Sequence, residues 1–213
     1  MKTTKKNSVL VNFVLDKSGS MSSVQESTIS AVNEYVKSLA SDGKADYSFM
    51  LTTFDTTVSK GVAQPIKEVQ PLTKTTYRPD GCTALYDAVC SSINALKSTA
   101  KKTQKVLTVV MTDGGENSSK EYTQAQLKAL IAECEKEGNW TFVFLGANQD
   151  SWATAQAFGF AKQNVADFNS TDKGIMRTMQ VMASNTGMYA TMDSLSTRNF
   201  YSAQDQQDLS DTK

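Results

Sequence analysis

The chain has 213 residues, 39% of them apolar and 21% charged, the make-up of an ordinary globular protein with one substantial domain. Lysine plus arginine equals aspartate plus glutamate, so no net field favours nucleic acid or an anionic membrane, and no apolar run approaches the ~18–20 residues of a membrane span. Histidine is absent, which removes Ser-His-Asp and Cys-His nucleophilic centres, a histidine general base and the usual histidine-bearing zinc sites.

The basic start Met1-Lys-Thr-Thr-Lys-Lys resembles the opening of a signal peptide, but Asp16 and Lys17 cut off the apolar stretch behind it, so the expectation is a strand and an intracellular protein. That strand, Ser8 to Leu15, is apolar nearly throughout, as for a central strand covered on both faces. Ser22 to Leu39 carries Val24, Ile29, Val32, Tyr35, Val36 and Leu39 at helical spacing. Asp46 to Phe54 reads as a second strand, and Thr56 to Val69, interrupted by Gly61 and Pro65, as an antiparallel edge partner. Pro71 to Gly81 is a loop, Thr83 to Leu96 a helix and Lys105 to Thr112 a third central strand ending at Asp113-Gly-Gly.

Thr123 to Glu137 is an amphipathic helix and Trp140 to Leu145 a buried strand stopped by Gly146-Ala-Asn. Ser151 to Phe158 is a short helix, Asn164 to Phe168 a brief last strand, and Thr171 to about Phe200 one long helix with Gly174 and Gly187 as weak points. Met176, Met179, Met182, Met188 and Met192 are expected on its core face, and the tail from Ser202 to Lys213 is expected to fray. The alternation of strands and helices implies a doubly wound, mostly parallel α/β sheet with helices on both faces and one antiparallel edge strand.

In such a sheet all parallel strands aim their C-terminal ends at one rim, so Asp16 and Asp113 are expected to meet there. Asp16-Lys-Ser18-Gly-Ser20 adds two hydroxyls on a tight turn, a set of hard oxygens suited to Mg²⁺, Mn²⁺ or Ca²⁺ and unsuited to a soft metal. Ser18, Ser20 and Thr83 placed just ahead of helices have a blander reading as N-caps. Asp55, Asp80 and Glu116 fall near the same rim and read mainly as solvated loop acids. Asp87, one turn beyond Thr83, reads equally as a support for a metal-binding group or as a surface acid. Cys82, Cys90 and Cys134 show no CxxC spacing and read as buried small hydrophobes rather than a disulfide framework or a zinc site, and the Asn-x-Ser/Thr matches at Asn117, Asn139 and Asn169 as coincidence.

Asp16-x-Ser18-x-Ser20, the threonine of Gly81-Cys-Thr83-Ala-Leu-Tyr-Asp-Ala88, and Met111-Thr-Asp113-Gly-Gly together resemble the metal-ion-dependent adhesion site of the von Willebrand factor A domain family. The phrases Leu15-Asp-Lys-Ser-Gly-Ser-Met21 and Val110-Met-Thr-Asp-Gly-Gly-Glu-Asn117 are most similar to small intracellular bacterial or phage members. The resemblance implies a single domain over residues 1–201, with a core at 8–168, a C-terminal helix at 171–200 that can slide along the sheet, and a polar tail at 202–213. It implies a Mg²⁺ site (Mn²⁺ or Ca²⁺ also suited) in which Ser18, Ser20 and Thr83 supply hydroxyls and Asp16 and Asp113 bind directly or through water. It further implies a cytoplasmic, non-enzymatic module whose protein partner completes the ion's shell with an aspartate or glutamate, in relatives often beside an AAA+ ATPase, with neither nucleic acid nor membrane as partner. Two readings compete. One is a Mg²⁺-dependent phosphatase or phosphotransferase, disfavoured because Ser18 stands where the haloacid-dehalogenase type needs a second aspartate and because no phosphate-binding glycine loop is present. The other is a structural or virion-associated protein.

Overall fold

A computed structural model describes residues 6–147 and 151–211. The basic start before Lys6, Asn148 of the strand stop and the last two residues of the tail lie outside the described residues. Three long strands form the centre: β1 (Asn7–Asp16), β2 (Ala45–Phe54) and β5 (Lys105–Thr112). β6 (Trp140–Gly146) and β7 (Val165–Asp167) extend the sheet on one side, and β3 (Val58–Lys60) and β4 (Gln64–Pro65) line its other edge. The order is β3-β2-β1-β5-β6-β7, with β4 also on β2. β2, β1, β5, β6 and β7 are parallel, and the two short pieces on β2 are antiparallel. The expected antiparallel edge is therefore present, split in two where one extra residue is inserted: Lys60 lies opposite Thr52 but Gln64 opposite Phe49, so the ladder bulges at 61–63.

The near-continuous apolar run of β1 has two clients. Val9, Val11, Phe13 and Leu15 pack under α1 (Gln25–Ser41) and α5 (Asp172–Thr191). Leu10 and Val14 belong to the core of the opposite face, which α2 (Leu85–Lys97), α3 (Gln124–Glu137) and α4 (Ser151–Phe158) cover. Side chains alternate across a strand, so covering both faces demands apolar residues at both parities. The one polar interruption, Asn12, is fully buried and donates to Ser92 Oγ of α2 at 3.1 Å.

The C-terminal region departs from expectation. The long helix stops at Thr191, because Lys105, buried at the start of β5, donates from Nζ to the carbonyls of Tyr189 (2.8 Å) and Met192 (2.6 Å) and so ends the helix. The chain then crosses back along β6 and β7, where Asn164 takes the Phe200 N–H and gives to the Thr197 carbonyl. The tail is helical rather than frayed over α6 (Ala203–Asp211). Ser202 and Asp205 form its N-terminal box, each side chain accepting from the other's backbone N–H, and Leu209 is buried in the sheet's α1/α5 face. The methionines divide: Met179 and Met182 are core, whereas Met188 and Met192 are exposed. At 3.6 residues per turn Met188 lies about 180° around the helix from Met179, so the five never shared one face.

Candidate metal site at the C-terminal rim

Register explains why the site residues meet. Asp16 pairs with Phe54 on β2, and Leu15 with Met111 on β5, so β1 and β5 end side by side and deliver Asp16 and Asp113 to one rim. Beyond β1 the chain turns into a 3-10 segment, Gly19–Val24, before α1 begins, which carries Ser18 and Ser20 back over the strand end. Thr83 arrives from the loop ahead of α2. That loop is fastened to the rim by Gly19 N–H to Gly81 O (3.1 Å), Asp80 N–H to Lys17 O (2.9 Å) and Ala84 N–H to Asp55 O (2.8 Å). Gly81 makes the approach possible: its φ is +70°, and a Cβ there would lie 2.7 Å from Thr56 Oγ1.

All five predicted residues converge. Asp16 is fully buried, with Oδ1 accepting from Ser18 N–H and Oδ2 from Thr112 Oγ1, both at 2.6 Å. Ser18 Oγ is 3.2 Å from Ser20 Oγ, which donates to Asp113 Oδ1 at 2.5 Å. A Cβ built on Gly114 would sit 3.4 Å from Thr83 Oγ1 and 3.7 Å from Ser20 Oγ, so a residue without a side chain leaves open the space between these hydroxyls. The N-cap reading does not describe these hydroxyls. Ser18 makes no side-chain cap bond at the 3-10 segment, Val24 precedes α1, and Ala84 rather than Thr83 stands at the N-cap of α2.

The electrostatics favour a cation. Burial pushes the Asp16 carboxyl up to about 6, opposed by its bonds from Thr112 and Ser18 and reinforced by the neighbouring charge of Asp113. Burial likewise raises Asp113 above the usual carboxylate range, against the pull of the Ser20 hydroxyl. No lysine or arginine pairs with either acid among the described residues; Lys17, the nearest in sequence, is paired with Asp55. No group of three or more Asp, Glu or Cys side chains suited to a metal occurs among the described residues, so a site here depends on neutral hydroxyls. Two acids and three hydroxyls fit a small hard cation, and no soft sulfur donor belongs to the set.

The other rim acids have local jobs. Asp55 holds Lys17 and the Thr57 N–H and hydroxyl; partial burial raises its carboxyl, but these partners carry it below its ordinary value. Asp80 accepts from the Gly81 N–H. Glu116 accepts from the Ser118 and Ser119 N–H groups and from Tyr86 N–H in the first turn of α2. Asp87 accepts from the N–H groups of Lys120, Glu121 and Tyr122 and thus supports a loop, not a surface. Three supporting residues escaped the sequence reading: Thr112, bonded to Asp16; Tyr77, whose buried hydroxyl donates to Asp16 O at 2.7 Å; and Asn117, bonded to Thr83. Only Thr112 carried a signal, as the hydroxyl residue adjoining Asp113.

The sheet order, the helices on both faces and the hydroxyl–carboxylate rim define a doubly wound α/β domain with an oxygen-rich strand-end site. Neither a family model nor any curated protein matches the sequence. Solved structures do match the fold. The PilB minor pilin from Streptococcus sanguinis is 13% identical with a TM-score of 0.63, over 88% of this chain and 63% of that one. The von Willebrand factor type A protein from Catenulispora acidiphila is 14% identical with a TM-score of 0.57, over 87% and 43%. Proximal thread matrix protein 1 from the mussel byssus, in a form with a zinc-occupied MIDAS motif, is 15% identical with a TM-score of 0.58, over 85% and 46%. The chain thus spans between 43 and 63% of the length of these three proteins. The fold is that of a von Willebrand factor type A domain.

Proposed function

We propose that this chain is a divalent-cation-dependent protein-binding module that makes and breaks no covalent bond. Asp16, Ser18, Ser20, Thr83 and Asp113 would hold the ion, with Mg²⁺ the best match to an all-oxygen donor set and Mn²⁺ or Ca²⁺ acceptable. The bound ion supplies a Lewis-acidic position that a partner's aspartate or glutamate fills. The observation that carries this reading is the gathering, from three separated segments, of two buried carboxylates and three hydroxyls, with no lysine or arginine paired to either acid among the described residues. The zinc-occupied MIDAS of a protein with the same fold supports it. A cytoplasmic setting suits the three cysteines, which are all unpaired. No helix among the described residues is long and apolar enough to cross a membrane.

The test has two arms. Crystals soaked in Mn²⁺ should show an anomalous peak among the five residues. An array of acidic peptides should then be retained in Mg²⁺, released by EDTA and ignored by Asp16→Ala. Peptide capture that persists in EDTA, or no peak at the rim, sinks the reading.

A further inference from the structure

Asp16, Ser18, Ser20 and Asp113 sit at or just beyond the ends of two hydrogen-bonded strands, and the sheet itself fixes their separation. Thr83 has no such anchor: it lies on an irregular segment between Gly81 and the start of α2. Its backbone is nevertheless held at both polar atoms by one residue. Thr83 N–H donates to Asn117 Oδ1 at 2.8 Å, and Asn117 N–H donates to Thr83 O at 3.0 Å. Asn117 lies four residues beyond Asp113 on the loop leaving β5, so this reciprocal pair ties the third segment of the site directly to the second.

The loop bearing Asn117 is itself fixed to α2. Glu116 gathers the Ser118 and Ser119 N–H groups and reaches Tyr86 N–H, while Asp87 gathers three N–H groups at 120–122. Two acids thus immobilise the loop on either side of Asn117, leaving its amide aimed at Thr83. We propose that Asn117 is a positioning residue, which acts on the ion solely by setting the Thr83 hydroxyl against Asp113. This rests on the metal reading above.

Free Mn²⁺ measured by electron paramagnetic resonance during titration reads the affinity, and melting in EDTA reads the fold. Asn117→Ala should weaken Mn²⁺ binding by about tenfold or more, the usual scale for removing the partner of a metal-binding group. Ser118→Ala is the control, because the Ser118 hydroxyl is buried with no partner among the described residues, and it should bind as the parent does. Thr83→Ala should weaken binding to a similar degree, and Asn117→Ala added to it should cost nothing more. Water-proton relaxation should report one additional Mn²⁺-bound water in Asn117→Ala and in Thr83→Ala alike. Asn117→Asp keeps the acceptor and should retain binding within about threefold, against the tenfold loss expected of the alanine variant. Parent-like affinity in Asn117→Ala, a loss in the double variant equal to the product of the two single losses, or equal losses in Asn117→Asp and Asn117→Ala would each overturn the role of Asn117. A parent protein that binds no Mn²⁺ would remove the metal reading itself, and this inference with it.

Discussion

Asp16→Asn should stabilise the protein when metal is chelated and destabilise it, relative to the parent, when Mg²⁺ is supplied. Burial raises the Asp16 carboxyl from 3.8 to about 6. The folded state therefore binds its proton more tightly than the unfolded state, and the sign follows. Below pH 3.8 the group is neutral in both states and carries no penalty; as the pH climbs from there to about 6 the unfolded chain ionises first and stability falls; above that the full penalty applies. A shift of roughly 2 units at 1.36 kcal/mol each sets a ceiling near ~3 kcal/mol at neutral pH. An asparagine amide keeps an acceptor for Ser18 N–H. Its NH₂ can donate to Thr112 Oγ1, which has the Gly114 carbonyl, 2.9 Å away, as its own acceptor. We therefore expect a gain of ~1–3 kcal/mol at pH 7.5 in EDTA, at ~2–4 °C of melting temperature per kcal/mol for a chain of this size. The gain should shrink to ~0.5 kcal/mol by pH 4. Mg²⁺ should then raise the parent by RT ln(1 + [L]/Kd) and leave the variant unmoved, reversing their order. Differential scanning calorimetry in EDTA and in Mg²⁺ at both pH values reads all four numbers. An Asp16→Asn protein that melts below the parent in EDTA at pH 7.5 would refute the reasoning.

Other substitutions probe the supports. Gly81→Ala places a Cβ 2.7 Å from Thr56 Oγ1 on a residue at φ +70°; a cost of ~1–2 kcal/mol in urea melts and a weakened Mn²⁺ affinity are expected together. Lys105→Met strands the Tyr189 and Met192 carbonyls; urea melts should show a loss of ~2–4 kcal/mol, and hydrogen exchange should quicken in the last turn of α5. Ser202→Ala removes the N-cap hydroxyl of α6, a loss of ~1 kcal/mol, with amide protection falling first at 203–206. Asp205 sits below its ordinary value: burial works against this, but the Ser202 N–H and hydroxyl, Asn185 and Arg177 outweigh it. Its contribution is therefore present above pH 4 and is lost as the pH falls through the lowered value, so Asp205→Asn should flatten the acid limb of the stability curve.

What could be read in the sequence follows from what the chemistry writes there. A strand covered on both faces must be apolar at both parities, so β1, β5 and β6 announce themselves, and parallel strands ending in aspartate name their rim in advance. The end of the long helix α5 resisted because its boundary is set from a distance. Nothing between Met188 and Phe200 resembles a stop signal; the helix ends where Lys105, more than eighty residues earlier, takes its carbonyls. The tail was legible and misread: Ser202-Ala-Gln-Asp205 is a capping box in a polar stretch, and one buried leucine, Leu209, is all that docks it.

The supporting residues were hidden for a further reason. Asn117 and Tyr77 act on backbone atoms of Thr83 and Asp16, and a backbone atom looks the same at every position, so no side-chain pattern marks its partner. The side chains of the site can thus be listed from sequence, while the forces holding them apart cannot. Those forces matter here because the site is costly to the fold: two acids raised by burial oppose folding at neutral pH. A rim under that pressure would relax by closing hydroxyl onto carboxylate, as Ser20 already does with Asp113. Tyr77 and Asn117 fasten the backbones of Asp16 and Thr83, and Glu116 fastens the loop beside them, so the spacing of the rim oxygens is set by contacts that no side-chain pattern in the sequence displays.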